Sequence, residues 1–134
     1  MPQCSESKTT ASHRPANIFL FRAYLLVEAI RNISATNGHQ EIEEPRPSKV
    51  TAWQAAELVS EVPFWLIGEP DIDPFYGEVH LSWSAASKQV VLMCFPNQGP
   101  LIHHYQRIPD SPSRHDIEAA SADRLAFWLG WLRA

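Results

Sequence analysis

The chain has little cysteine and little glycine, and each shortage excludes a class of protein. Two cysteines in 134 residues cannot form a disulfide framework. Cys4 lies in a polar stretch, and Cys94 lies in the apolar run VVLMCF, where a small buried thiol is expected. The glycines are scattered, so no glycine-rich phosphate-binding loop exists. Disulfide-rich secreted folds and P-loop nucleotide hydrolysis are therefore excluded.

Long hydrophobic runs are also missing. The run IFLF is followed by Arg22 and then Glu28, so it falls far short of the ~20 apolar residues that a membrane helix needs. The N-terminal stretch MPQCSESKTTASHRPAN is polar and lacks the apolar segment of a secretory signal. These features predict a cytoplasmic protein without a membrane partner.

Positive charge is scarce in the middle of the chain. Residues 41–78 carry two Lys/Arg and nine Asp/Glu, a net charge of −7, whereas the flanking parts are weakly positive. Contacts to a nucleic-acid backbone need clustered cations, so direct nucleic-acid binding is disfavoured. The acidic segment favours a protein partner with a basic surface. The alternative is that its glutamates only keep a loop solvated.

The composition is sufficient for one hydrophobic core. Hydrophobic residues make up 45% of the chain and include five tryptophans, which predicts a core rich in aromatic side chains. Residues 1–14 have the composition of a disordered leader. Residues 15–134 are expected to form a single α+β domain.

Three helices are predicted from apolar spacing and capping residues. Ser48 is a candidate N-cap for a helix that ends near Ser60, with Val50, Trp53 and Ala56 facing the core. Ser121 is a candidate N-cap for an amphipathic C-terminal helix. The apolar stripe of the first helix comprises Phe19, Ala23, Leu26, Ile30 and Ile33. The apolar stripe of the C-terminal helix comprises Leu125, Trp128, Leu129 and Leu132.

Between the second and the last helix the apolar period changes to two. The stretches GEVHLSW, QVVLMCF and LIHHYQR predict an antiparallel meander of three strands, with a short fourth edge strand near residues 69–72. The edges of the meander are expected at the strand around Val79 and the strand around His103. QVVLMCF is apolar on both faces. It is therefore either covered on both sides or pairs its second face with a neighbouring molecule.

Two adjacent histidines in LIHHYQR raise the question of a metal or catalytic site. His103 and His104 point to opposite faces of a strand, so they cannot share one ion without a bulge. His80 is the nearest further ligand in the pattern. A small enzyme or metal-binding protein using His80, His103 or His104 on an open sheet face is thus an alternative, whereas ordinary strand histidines, with no cofactor and no metal, are favoured.

The loop VPFWLIGEPDIDPFYGE supplies most of the predicted partner-binding residues. Aromatic side chains in an irregular, proline-rich segment serve as interface anchors or as a lid over the core. With the neighbouring acidic segment they give the predicted partner-binding set: Glu41, Glu43, Glu44, Trp65, Asp71, Asp73, Phe75 and Tyr76.

The order of motifs resembles a group of small bacterial proteins of unassigned function. The resemblance lies in TNG…EPRPSKVTAWQAAELVSEVP, GEVHLSW and KQVVLMCFPNQGPLIHHYQR, and covers about residues 36–107. Members pair a helix behind a Pro-Ser start with a strand ending in tryptophan and a short meander. Some occur near toxin–antitoxin or mobile-element genes. The resemblance implies an α+β domain and carries no catalytic residues.

These features together predict a non-enzymatic protein-binding module. Small size, an acidic middle third and loop aromatics suit an inhibitor of the antitoxin, immunity or anti-defence (anti-CRISPR-like) type. Besides the enzyme alternative, a homo-oligomeric structural module that pairs through an edge strand or Trp131 stays open.

Overall fold

The computed structural model describes residues 22–34 and 48–134. Helix α1 covers residues 22–31 and ends in a 3-10 turn, Asn32–Ser34. The other helices are α2 (Lys49–Ser60), α3 (Phe64–Ile67) and α4 (Ala122–Arg133). The predicted leader, residues 1–14, lies outside the described residues.

The sheet has five antiparallel strands in sequence order. They are β1 (Asp71–Phe75), β2 (Glu78–Ala85), β3 (Lys88–Cys94), β4 (Leu101–Gln106) and β5 (Arg114–Ala119). The α+β class and the antiparallel meander are confirmed. The prediction of three or four strands is wrong, because β5 was missed.

The sheet edges also differ from the prediction. The outermost strands are β1 and β5, rather than the strands around Val79 and His103. The short edge strand expected near residues 69–72 runs instead over Asp71–Phe75. It tolerates Pro74 because an edge strand has one side without ladder hydrogen bonds. A two-residue turn with positive φ at Tyr76 and Gly77 connects it to β2, as tight hairpins require.

One face of the sheet forms the core with the helices. Helices α2 and α4 both contact β2 and β3 on this side. Alternate residues of the central strands are buried there: Val79, Leu81, Trp83, Val90, Leu92, Cys94 and Ile102. The indole Nε1 of Trp83 donates to the carbonyl of Ile67, which fixes α3 above the sheet.

The predicted C-terminal helix is confirmed in its cap and its buried stripe. The Ser121 hydroxyl accepts a hydrogen bond from the backbone N–H of Arg124. Leu125, Leu129 and Leu132 are buried, and Trp128 is half-buried. Lys88 Nζ donates to the carbonyl of Trp131 at 2.9 Å and so joins the β2–β3 turn to the end of α4.

Helix α2 begins at the predicted cap but buries a different side. Ser48 accepts from the N–H of Thr51, as expected. Val50 is 75% exposed and Trp53 is 55% exposed, so their predicted inward orientation is wrong. The buried side consists of small residues, which let the helix backbone approach the sheet closely: Thr51, Ala52, Ala55, Ala56 and Val59.

We expect Gly68→Ala to destabilise the fold. Gly68 has φ +62° and ψ −143°, a region that only glycine adopts readily. A Cβ there would lie 2.8 Å from Arg133 Nη2, which donates to the carbonyl of Leu66. The expected loss is about 1–3 kcal/mol in the free energy of unfolding, measured by urea titration. Gly99→Ala is the matched control, because a Cβ at Gly99 meets nothing within 4 Å.

Candidate partner-binding surface

Three exposed aromatic side chains surround a groove on the helical layer. Tyr24 of α1, Trp53 of α2 and Trp65 of α3 are 59%, 55% and 58% exposed. A cavity of about 790 Å³ lies on the outer side of α2, and one of about 510 Å³ lies between α1 and the α2–α3 corner. The two adjoin, because Arg31 and Glu61 line both. We call this surface the aromatic groove.

Arg31 lies between the two parts of the aromatic groove. Its guanidinium carbon lies 5.1 Å from the ring centroid of Trp53, a cation–π contact. Its Nη1 donates to Glu28 Oε2 at 3.0 Å. Its Nε is buried and has no hydrogen-bond partner within the described part of the chain. The cation–π contact steadies the exposed indole of Trp53.

The C-terminal end of α2 makes one side of the aromatic groove acidic. Glu57 and Glu61 both line it and are exposed. Neither carboxylate forms an ion pair with a described residue. Lys49 provides a positive charge at the other end of the helix. The aromatic groove thus combines apolar walls with two carboxylates that a cation could neutralise.

The predicted partner-binding residues that the structure describes lie on different elements of the fold. Trp65 lies in α3 and lines the aromatic groove. Asp71 and Asp73 are exposed on β1, and Tyr76 is exposed in the β1–β2 turn. Phe75 ends β1. Glu41, Glu43 and Glu44 lie outside the described residues.

Sequence reasoning missed Tyr24, Trp53 and Val50 as surface residues. The helical spacing of Val50 and Trp53 resembles an inward stripe, and only the run of small residues Ala52, Ala55 and Ala56 indicates the true buried side. A small-residue stripe at helical spacing was the signal that could have identified the exposed tryptophan.

The two histidines of LIHHYQR lie on opposite faces of the sheet. His104 faces α4, where its ring stacks on Trp128 with centroids 3.6 Å apart and planes 14° apart. Its Nε2 lies 3.9 Å from Glu118 Oε1. Glu118 accepts hydrogen bonds from Arg124 Nε at 2.6 Å and Nη2 at 3.2 Å. His104 therefore helps to attach α4 to the edge strand β5.

His103 points away from the helices. Its ring lies 5.7 Å from that of His115, edge to face. Burial lowers the pKa of His103, and the neighbouring charges of His115 and His104 lower it further. His80 Nε2 lies 2.8 Å from Glu78 Oε1. His80 and His103 stand two strands apart, roughly 10 Å.

A metal site needs several convergent ligands. Within residues 22–34 and 48–134, no three His, Cys, Asp or Glu side chains are placed to hold a metal ion. Burial raises the pKa of the Cys94 thiol to about 12, so it stays protonated at neutral pH and serves as a core residue. The prediction of a buried structural thiol at Cys94 is confirmed.

We expect Glu118→Gln to lower stability in a pH-dependent way. Arg124 holds the pKa of Glu118 below its usual 4.5, so the ionised carboxylate stabilises the fold above that pH. The stabilisation is lost as the pH falls through the lower, folded pKa. The melting temperature of the wild type should be higher than that of Glu118→Gln at neutral pH. The difference should disappear as the pH is lowered. Glu69→Gln is the control, because Glu69 is exposed and has no ion pair in the described structure. Its melting temperature should equal that of the wild type at every pH.

Within the described residues, no helix combines the length and the apolar character needed to cross a bilayer. Comparisons of the chain with protein-family models, curated proteins and solved structures find no match.

Proposed function

We propose that the protein is a non-enzymatic protein-binding module whose partner docks in the aromatic groove. The observation that carries this proposal is the exposure of Tyr24, Trp53 and Trp65 around one groove. Tryptophan and tyrosine are enriched among the residues that dominate binding energy at interfaces. Contiguous apolar surface of this kind marks interaction sites on soluble proteins.

The chemistry of the aromatic groove favours an amphipathic partner segment with a basic residue. An apolar stripe would cover Trp53 and Trp65, as when an amphipathic helix binds a groove. A lysine or arginine beside it would meet Glu57 and Glu61. This surface shares Trp65 with the predicted one, and it keeps the predicted combination of aromatic and acidic side chains.

The partner class follows from charge and size. Residues 41–78 carry a net charge of −7, and an acidic segment of this kind on a small protein speeds the capture of a basic target, such as a protein that handles nucleic acid. The protein would therefore act in the cytoplasm as an inhibitor of the antitoxin, immunity or anti-defence type. Its own charge balance disfavours direct contact with nucleic acid.

Charge reversal tests the electrostatic part of the proposal. The tagged full-length chain is used to capture its partner from host lysate at low and high salt. We expect Glu57→Lys/Glu61→Lys to slow association by about tenfold or more at low salt and to remove most of its salt dependence. Asp110→Lys/Asp116→Lys, a reversal of equal size at exposed sites outside the aromatic groove, should bind like wild type. Unchanged rates in the first variant would contradict the proposed orientation of charge.

A further inference from the structure

A small cavity of about 330 Å³ lies between helix α4, the end of strand β4 and the start of strand β5. The strand register places Gln106 directly opposite Arg114, and it places His104 opposite Asp116. Residues that lie opposite each other share a face, so these side chains are all on the α4 side of the sheet. We call this site the α4 cavity. Its walls include His104, Gln106, Arg114, Asp116, Trp128 and Trp131.

One wall of the α4 cavity carries two opposite charges that a ligand can reach. Arg114 and Asp116 are both exposed, and alternate residues of a strand lie roughly 7 Å apart on one face. The side chains of Arg114 and Gln106 form no ion pair or hydrogen bond with another described residue. Asp116 Oδ1 accepts from the backbone N–H of Ile117 at 2.8 Å, and no described residue bonds to its Oδ2. The wall therefore offers a guanidinium and a carboxylate oxygen side by side.

The other wall of the α4 cavity is a corner formed by two indole rings. Trp128 and Trp131 meet edge to face, with centroids 5.2 Å apart and planes 85° apart. Each ring already has a cation of the protein nearby. Lys88 Nζ lies 4.9 Å from the centroid of Trp131, and the guanidinium carbon of Arg124 lies 5.8 Å from that of Trp128. These charges repel a further cation from the corner, whereas an apolar or aromatic side chain packs well against both rings.

We propose that the α4 cavity binds a free α-amino acid with an apolar or aromatic side chain. The carboxylate of the ligand pairs with the guanidinium of Arg114, a contact in which two N–H groups can donate at once, and the amide of Gln106 donates beside it. The ammonium group of the ligand donates to Asp116 Oδ2. The ligand side chain packs into the corner between Trp128 and Trp131.

The paired charges favour a free amino acid over other small ligands. Its ammonium and carboxylate groups are attached to the same carbon, so both reach one wall, and the long side chain of Arg114 closes the remaining distance. A simple anion would be repelled by Asp116, and either end of a peptide would leave Arg114 or Asp116 without a partner. The volume of about 330 Å³ is at the small end for ligand pockets, roughly 300–1,000 Å³, which suits a single amino acid.

Titration of the ¹⁵N-labelled full chain with L-phenylalanine tests the proposal by nuclear magnetic resonance. The indole N–H signals of Trp128 and Trp131, assigned with tryptophan-to-phenylalanine variants, should shift saturably, with a dissociation constant of about 1 mM or lower. The signals of Trp53 and Trp65 should stay in place, because the α4 cavity shares no lining residue with the aromatic groove. The absence of a saturable shift at Trp128 and Trp131 up to about 10 mM ligand would overturn the proposal.

Two capped analogues test whether both charges of the ligand are read. N-acetyl-L-phenylalanine lacks the ammonium group, like the carboxyl end of a peptide, and L-phenylalanine amide lacks the carboxylate, like an amino end. Each should bind at least about tenfold more weakly than L-phenylalanine, because one charged hydrogen bond is lost. An analogue that binds as tightly as L-phenylalanine would assign the α4 cavity to a peptide end and contradict the proposal.

Arg114→Gln and Asp116→Asn test the two charged contacts from the side of the protein. Each variant should bind L-phenylalanine about tenfold more weakly or worse, and circular dichroism checks that both are folded. Asparagine at position 116 keeps an oxygen that can accept from the N–H of Ile117. Arg107→Gln is the matched control, because Arg107 is exposed and does not line the α4 cavity. Equal losses in Arg107→Gln and Arg114→Gln would show a general effect of charge and overturn the assigned contact. Because this site and the aromatic groove are separate, either proposal can fail without the other.

Discussion

Alanine at Trp53 and Trp65 together is expected to lower partner affinity by at least about a hundredfold. Truncating one central aromatic residue of an interface costs ~2 kcal/mol or more, about thirtyfold in the dissociation constant. Both indoles are more than half exposed in the free protein, so their loss should leave the fold nearly unchanged. Titration calorimetry with the captured partner would measure the affinity, and thermal unfolding would show that the variant is folded.

Phe127→Ala is the matched control for the two tryptophans. Phe127 is an aromatic side chain of α4 that is as exposed as Trp53, and it lies outside the aromatic groove. We expect this variant to bind like wild type. If Phe127→Ala lowered affinity and the tryptophan double variant did not, the partner surface would have to be placed on α4.

Trp83→Ala is expected to give the largest loss of stability, about 3–5 kcal/mol. Trp83 is buried in β2 beneath α3 and belongs to the hydrophobic core. Its removal leaves a large cavity and also leaves the carbonyl of Ile67 without the indole donor. Urea unfolding would measure the change in free energy. Trp65→Ala removes a side chain of the same size from the surface and should change stability by less than about 0.5 kcal/mol.

Trp83→Phe separates packing from the hydrogen bond. Most of the aromatic volume stays, but the carbonyl of Ile67 loses its donor. We expect a loss of about 1–3 kcal/mol, the cost of an unsatisfied buried polar group plus the smaller ring. If Phe and Ala at position 83 gave equal losses, packing would not be the main contribution of Trp83.

The fold class was predictable because β2, β3 and α4 have a clear apolar period. Val79, Leu81 and Trp83 alternate with polar residues, and Ser121 marks the start of α4. Strand β5 was not predictable from the same signal. Its sequence, RHDIEA, contains one large apolar residue, and that residue, Ile117, points away from the helices rather than into the core. Pairing with β4, not an apolar pattern of its own, makes this segment a strand.

The candidate site was less predictable than the fold. Trp65 was singled out because it lies in a proline-rich loop. Trp53 was assigned to the core, because sequence alone does not show that α2 packs through Ala52, Ala55 and Ala56. A helix with both a large-residue stripe and a small-residue stripe has two candidate buried sides, and close contact between helix and sheet favours the small one.

For the histidine pair, the sequence predicts which face each side chain occupies but not which residues it contacts. Alternation along β4 correctly indicates that His103 and His104 face opposite ways. It does not indicate that Trp128 and Glu118 surround His104, since those contacts depend on how α4 packs back on the sheet after the missed strand β5. The tertiary partners of a strand residue follow from topology rather than from the local pattern.

Site-specific photo-crosslinking tests the central claim most directly. A benzophenone amino acid is placed at position 50, an exposed position that lines the aromatic groove, and separately at position 127 as the exposed control. With the captured partner present, irradiation should give a high-yield covalent complex from position 50 and only background from position 127. A crosslink from position 127 with none from position 50 would contradict the claim that the partner docks in the aromatic groove.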